Sequence, residues 1–245
     1  MPQRVCFSLV VGSLFLPAFA QTPPVIQWQS CLGGTGWDVA LSVAPTSSGG
    51  CIVAGYNGSY LGPDLVNHGA SDFWFARLDE FGALLWQHDH GGSDPESAED
   101  AAVLDNGDVL ISGNTGSNGD LYENSGFAVV LRTNADGETI WQHTYGGSGG
   151  EGARSIKVTP DGGSIFVGNT NSMDGDVVGH HGGFSVGTTI ASDIWVVKLD
   201  ANGDIEWQHP LGGTDTDIGW EVALAANGGY LVCGYIESTD GDVTN

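Results

Sequence analysis

The chain has 245 residues, with 30 acidic side chains against six basic ones and a formal net charge of −24 at pH 7. This acid excess argues against nucleic acid and anionic membrane surfaces as partners, because each contact would begin with electrostatic repulsion. Forty glycines beside a hydrophobic fraction of 40% indicate a globular protein that is rich in turns.

Residues 1–20 have the features of a secretory signal peptide. Arg4 provides the positive end, Val5–Leu16 an apolar run, and Ala18–Ala20 a small-x-small cleavage site. The apolar run is shorter than the roughly 20 residues that a transmembrane helix needs. We therefore expect cleavage near Ala20 and a mature domain over 21–245 that is secreted or held at the cell surface, without membrane insertion.

A Trp-Gln motif, followed a few residues later by Gly-Gly, divides the rest of the chain into repeats. It starts at Trp28, Trp86, Trp141 and Trp207, at intervals of 58, 55 and 66 residues. Repeats of this size are typical of a propeller or a similar array, in which no unit buries its apolar face alone. The predicted units are 28–85, 86–140 and 141–206, with a partial unit at 207–245.

Each unit contains four short apolar segments separated by turn residues, the pattern of a four-stranded antiparallel blade. In the first unit these segments are approximately 38–43, 51–55, 73–78 and 83–88. Asn-Gly and Asp-Gly pairs tolerate the positive φ angles of tight hairpins, and they stand between the segments. The sequence therefore predicts an all-β propeller with about three complete blades and partial first and last ones.

The number of blades leaves two interpretations open. Closed propellers usually have four to eight blades, more than the complete units of this chain. Either the chain is a fragment of a longer protein, or the leading strand at 25–29 closes a small ring by pairing with the incomplete last blade.

The recurring tryptophans are predicted to be structural. Trp86, Trp141 and Trp207 each follow a hairpin glycine by four residues, which favours packing between neighbouring blades. The histidines two residues after them also recur, whereas a catalytic histidine is normally unique. The histidines outside the repeat have the stronger case for a site, although the sequence does not place further metal ligands beside them. They are His68, His90, His180 and His181.

Loops after the second segment of each unit concentrate Asp and Asn. Carboxylate and carbonyl oxygens are the ligands of Ca²⁺, and Asp-Gly-Asp supplies two carboxylates, so calcium is the one candidate cofactor. The same short side chains also cap turns by bonding to their own backbone, and both interpretations stay open. The candidate ligands are Asn118, Asp120, Asn171, Asp174, Asp176, Asp240 and Asp242.

The third unit carries an insertion between Asp176 and Asp193. Loops that depart from a repeat are where propellers commonly place binding residues, because the strands beneath are committed to packing. Neutral variation in length is the alternative. His180, His181 and Phe184 are the candidate binding residues of this loop.

The unit resembles the repeat propellers of large secreted bacterial proteins, most clearly at Gly168-Asn169-Thr170 and over Asp193–Trp207. That resemblance implies an extracellular or surface-attached propeller, in a group that often ends in a sorting or adhesion domain and mostly lacks an assigned activity. The chain is also similar, more weakly, to quinoprotein-dehydrogenase-like propellers, which share a Leu-Asp pair, a turn glycine and a tryptophan four residues later. This second similarity implies the fold alone.

The sequence thus predicts a binding, adhesion or scaffold module for an unknown protein or carbohydrate ligand. It contains no phosphate loop, nucleophile elbow or paired-cysteine metal motif, and no catalytic residue is assigned. The alternative is a propeller enzyme, either a carboxylate-based hydrolase or lyase or a quinoprotein-like oxidoreductase. Convergence of His90, Glu96, Glu123 and the 177–192 insertion would favour a catalytic site, and scattering would favour a scaffold.

Overall fold

The computed structural model describes residues 5–10, 25–58, 68–116, 127–182, 184–185 and 189–243. The described residues form strands and turns, and they include no helix that could cross a membrane. In chain order the strands are β1 (Val5–Val10), β2 (Ile26–Leu32), β3 (Asp38–Pro45), β4 (Cys51–Asn57), β5 (Asp72–Leu78), β6 (Leu84–His90), β7 (Glu96–Val103), β8 (Val109–Thr115), β9 (Ala128–Thr133), β10 (Thr139–Tyr145), β11 (Glu151–Val158), β12 (Ser164–Thr170), β13 (Phe184–Ser185), β14 (Thr189–Ile190), β15 (Asp193–Leu199), β16 (Ile205–Leu211), β17 (Asp217–Leu224) and β18 (Tyr230–Ile236).

Three four-stranded antiparallel sheets form the body of the molecule. The first blade is β3–β6, the second is β7–β10, and the third is β11, β12, β15 and β16. A partial fourth blade consists of β17 and β18, and the small β13–β14 hairpin lies within the insertion of the third blade. The predicted all-β fold, an incomplete propeller of four-stranded blades, is confirmed.

The leading strand does not close a ring. β2 pairs with β1, and the described partner of β18 is β17. The alternative in which the leading strand pairs with the last blade is therefore wrong for the described residues. β1 lies inside the predicted signal peptide, so cleavage near Ala20 would remove this partner of β2.

The core lies between the faces of neighbouring blades. The second and third strands of each complete blade are buried along nearly their whole length, because a sheet covers each of their faces. For the first blade, the sheet on the outer face is the β1–β2 pair, which contributes Trp28 and Leu32. Phe73 and Phe75 pack with Ile111 of the second blade, and Phe166 packs with Trp195 and with Val130 of the second blade. This two-sided burial explains the uninterrupted aliphatic runs in these strands.

The first strand of every blade carries a β-bulge, after which one side chain reaches the neighbouring blade. The register shifts lie between Ala40 and Ser42, Ala98 and Asp100, Ala153 and Ser155, and Gly219 and Glu221. Backbone amides of the next blade then donate from Ala101 to Ser42 Oγ (3.3 Å), from Ile156 to Asp100 Oδ2 (2.9 Å) and from Val222 to Ser155 Oγ (3.4 Å). This series of bonds ties the inner strands together.

Asp100 is the most heavily bonded member of that series. It also accepts hydrogen bonds from Ser42 Oγ (2.7 Å) and from Lys157 Nζ (2.9 Å). We expect Asp100→Ala to lower the free energy of unfolding by about 1–3 kcal/mol, because buried donors lose their acceptor. Urea unfolding measures the loss, with exposed Asp105→Ala as the control. Equal stability of the two variants would contradict this role of Asp100.

The recurring tryptophans lie between blades, as predicted. Trp86 Nε1 donates to the carbonyl of Ala135 in the second blade at 3.2 Å, and Arg77 Nη1 donates to the same carbonyl at 2.6 Å. The rings of Trp86 and His88 lie against Gly137, whose φ of 85° belongs to the left-handed region. A side chain there would be strained and would clash with these rings. Trp141 and Arg132 repeat the arrangement on Ala201 of the third blade.

Candidate functional site

The connections of each blade divide between two ends, because consecutive strands are antiparallel. Tight hairpins join the first strand to the second and the third to the fourth. The connections between second and third strands, and those between blades, lie at the opposite end, which we call the loop end. Its described residues are 33–37, 58, 68–71, 91–95, 116, 127, 146–150, 171–182, 191–192, 212–216 and 237–243.

One buried carboxylate begins the first strand of every blade at the loop end. Each accepts a hydrogen bond from the backbone N–H of the second glycine of the Gly-Gly pair, four residues earlier. These bonds run from Gly34 to Asp38 (2.8 Å), Gly92 to Glu96 (2.8 Å), Gly147 to Glu151 (3.1 Å) and Gly213 to Asp217 (3.0 Å). Sequence reasoning did not single out this set, although the constant spacing of four residues was the signal for it.

Two histidines outside the repeat are structurally equivalent. The backbone N–H of His68 donates to Asp72 Oδ2 at 2.9 Å, and its Nδ1 lies 3.3 Å from the same oxygen. His181 makes the same pair of contacts with Asp193 Oδ2, at 2.9 and 2.7 Å. Asp72 and Asp193 are fully buried at the start of the third strand of their blades. In the second blade Phe127 takes this place, and its ring lies against Gly146.

The first blade adds a second carboxylate to this pair. Ligand atoms of His68, Asp72 and Asp89 all lie within 4.8 Å of one another. Burial raises the pKa of Asp89, and repulsion from the carboxylate of Asp72 raises it further. Carboxylate oxygens of Asp72 and Glu96 lie where a Cβ of residue 91 would stand, so a side chain in place of Gly91 would clash with them.

The predicted calcium ligands of the third blade brace loops. Asp174 Oδ1 accepts the N–H of Ser148 at 2.6 Å, and Asp176 Oδ2 accepts that of Gly146 at 3.0 Å. Asn171 Oδ1 accepts the N–H of Gly150. These bonds tie the 171–176 segment to the neighbouring 146–150 loop and not to its own backbone, so neither interpretation is decided and calcium binding stays a prediction.

The remaining predicted residues fall into separate surroundings. Asp240 Oδ1 accepts the N–H of Thr214 at 2.8 Å, and Asp242 Oδ2 lies 3.3 Å from His181 Nε2. His180 Nδ1 accepts the N–H of Gly182 at 2.9 Å. Phe184 belongs to β13, while Asn118 and Asp120 lie outside the described residues.

The residues whose convergence would favour a catalytic site have these contacts among the described residues. The His90 ring packs on Phe75 with centroids 5.7 Å apart, and Glu96 holds the Gly-Gly loop. In the insertion, His181 binds Asp193 of its own blade. Glu123 lies outside the described residues. Convergence of this group therefore stays a prediction.

An open cleft of about 390 Å³ lies at the loop end of the third blade. Ser148, Gly149, Asn171, Met173 and Asp174 line it. The Met173 side chain is 61% exposed, so the cleft offers an apolar contact beside hydrogen-bonding groups. Such a combination suits a ligand with both polar and apolar surface.

The His181–Asp193 pair makes stability depend on pH. The hydrogen bond to Asp193 raises the pKa of His181 above 6.5, and attraction from the carboxylates of Asp193, Asp242 and Asp217 adds to it, while partial burial opposes the shift. Because the folded pKa exceeds the unfolded one, this stabilisation is complete below about pH 6.5 and is lost as pH rises through the folded value. In EDTA, the melting temperature of His181→Gln should fall below wild type more at pH 5.5 than at pH 8.5. A gap that widens at pH 8.5 would refute this assignment.

No protein-family model matches the sequence, and comparison with curated proteins finds no match. Among solved structures, the chain is similar to a protein of unknown function from Bacteroides caccae, with 16% identity and a TM-score of 0.47. That alignment covers 84% of this chain and 56% of the other. BamB from Moraxella catarrhalis aligns with 14% identity and a TM-score of 0.28, over 83% of this chain and 84% of BamB. At these TM-scores, the fold assignment depends on the sheets themselves.

Proposed function

We propose that the chain is an exported binding and scaffold module, whose stacked blades present the loop end to a protein or carbohydrate ligand. The observation that carries this proposal is the contrast between the two ends. Four first-to-second hairpins close with the same hydrogen bond, from Thr46 to Gly50, Leu104 to Asp108, Thr159 to Gly163 and Ala225 to Gly229. At the loop end, the second-to-third connections differ in length, covering 58–71, 116–127 and 171–192.

Uniform hairpins and variable loops are what a rigid support with a changeable binding surface requires. The acids that begin the first strands and the Asp side chains of the third-blade loops hold backbone amides, so this surface is built before a ligand arrives. The net charge of −24 favours neutral or basic ligands over acidic ones. Export is supported by the signal-like N-terminus and by the resemblance to secreted repeat propellers.

Binding by the third-blade cleft can be tested on the purified chain with a glycan array and a panel of neutral and basic peptides. Met173→Ala removes the exposed apolar side chain of the cleft. Phe81→Ala is the matched control, because Phe81 is 75% exposed in a hairpin at the opposite end. For a probe that binds wild type saturably, we expect Met173→Ala to weaken binding by about tenfold and Phe81→Ala to leave it unchanged. Absence of saturable binding, or a greater loss in Phe81→Ala, would overturn the proposal.

A carboxylate-based hydrolase or lyase is the second candidate function. It is favoured by the closeness of Asp89 to the buried carboxylate of Asp72, which together with burial raises the pKa of Asp89, because neighbouring carboxyl groups can divide the roles of general acid and general base. Incubation of the same glycans with wild type and Asp89→Asn distinguishes the two functions. Turnover by the wild type that disappears in Asp89→Asn would show that the chain is an enzyme, in place of the proposed binding module.

A further inference from the structure

Several polar atoms in the first blade have no hydrogen-bond partner among the described residues. By strict hydrogen-bond geometry they are Asp72 Oδ1, Asp89 Oδ2 and both amide atoms of Asn57, although the Asn57 amide is close enough to Asp89 to lower the pKa of that carboxyl. Asp72 and Asn57 are fully buried and lie opposite each other in the β4–β5 ladder. Buried polar atoms are ordinarily satisfied, and leaving them unpaired costs free energy. The described protein atoms therefore leave the polar atoms of this group without a full set of partners.

The equivalent positions in the other blades show that this group is specific to the first. In the third blade His181 and Asp193 repeat the pair, but Pro210 stands where the first blade has Asp89, and Thr170 stands at the position of Asn57. In the second blade Phe127 replaces the buried aspartate. Packing of a blade thus does not require the carboxylate of Asp89 or the amide of Asn57.

We propose that His68, Asp72 and Asp89, completed by the amide oxygen of Asn57, bind a divalent transition-metal ion such as Zn²⁺. Two carboxylates and one imidazole give a ligand set with a net charge of −2, which a divalent cation neutralises. Imidazole nitrogen favours zinc and its neighbours in the first transition row, whereas calcium takes six to eight oxygens. The ligand atoms already lie within 4.8 Å of one another, so small side-chain rotations bring them around one ion.

The ion would join three parts of the first blade that are separate in sequence. His68 belongs to the loop before β5, Asp72 begins β5, and Asp89 lies near the end of the outer strand β6. Metal binding would fasten this loop to the edge of the sheet and add its free energy to stability. The proposal does not depend on a ligand in the third-blade cleft, so either can fail without the other.

Zinc titration of the chelator-treated full chain by calorimetry, together with melting temperatures with and without zinc, tests the site. The matched variants are His68→Gln and His181→Gln, which remove equivalent histidines from the first blade, where Asp89 belongs to the group, and from the third, where Pro210 stands at the position of Asp89. We expect one zinc per wild-type chain and a rise of several degrees in melting temperature. His68→Gln should weaken zinc binding at least about tenfold, since even partners outside the first coordination sphere contribute that much. His181→Gln should bind zinc as wild type does.

Asp89→Asn is a second variant, in which zinc binding should be lost without any loss of stability in the absence of metal. Because the change removes a repelling charge, its melting temperature in EDTA should equal or exceed that of wild type, while its response to zinc should disappear. Calcium at the same concentration should raise the wild-type melting temperature less than zinc does. Absence of zinc uptake, wild-type affinity in Asp89→Asn, an equal loss in His181→Gln, or an equal response to calcium would each overturn the proposal.

Discussion

Replacement of Glu151 by alanine will destabilise the chain by at least about 3 kcal/mol, because three donors lose one buried acceptor at about 1–3 kcal/mol each. Glu151 accepts the N–H of Gly147 at 3.1 Å and the hydroxyl groups of Thr170 and Ser172 at 2.9 and 2.6 Å. These bonds hold the loop between blades against the end of β12. Loss of Glu151 therefore both leaves donors unpaired and frees the loop.

Urea unfolding followed by tryptophan fluorescence measures this loss in the full chain. Asp136→Ala is the control, since Asp136 is exposed in a hairpin and substitutions at such positions change stability by about 0.5 kcal/mol or less. A loss below about 1 kcal/mol for Glu151→Ala would show that the buried acids do not hold the loops in place at the loop end.

Trp195→Ala is expected to cost about 3–5 kcal/mol, the usual penalty for truncating a large buried aromatic side chain. Trp195 is fully buried, contacts Phe166 edge to face at a centroid distance of 5.6 Å, and donates from Nε1 to Gln208 Oε1 at 2.8 Å. Truncation opens a cavity between the second and third blades and also leaves the Gln208 acceptor without this donor.

The control for Trp195 is Trp37→Ala, because the Trp37 side chain is 66% exposed. We expect Trp37→Ala to change the melting temperature far less than Trp195→Ala. Comparable losses would show that stability does not come from burial between blades. The contrast separates packing from any general effect of removing an indole.

The blades could be predicted from the sequence because their signals are local. Hairpin glycines, short aliphatic runs and a tryptophan at constant distance from a glycine each lie within one strand pair. The position of Trp86 against the next blade followed from its recurrence alone, and its contact with Ala135 confirms it. The pairing of β2 with β1 was not predicted, since it involves a segment assigned to the signal peptide.

The candidate metal centre could not be predicted because its members are close only after folding. Four residues separate His68 from Asp72, but the insertion separates His181 from Asp193 by twelve, so spacing hides their equivalence. Asp89 approaches Asp72 only through the β5–β6 pairing. Both Asp174 and Asp72 hold a backbone amide, and sequence does not show that Asp72 also keeps an unpaired oxygen.

The most direct test of the account is a crystal structure of the full chain grown with zinc, with anomalous diffraction recorded at the zinc edge. We expect three four-stranded blades with one anomalous peak at their loop end, among His68, Asp72 and Asp89, and none beside His181. Sheets paired in another order, no peak at the first blade, or equal peaks at both histidines would contradict it.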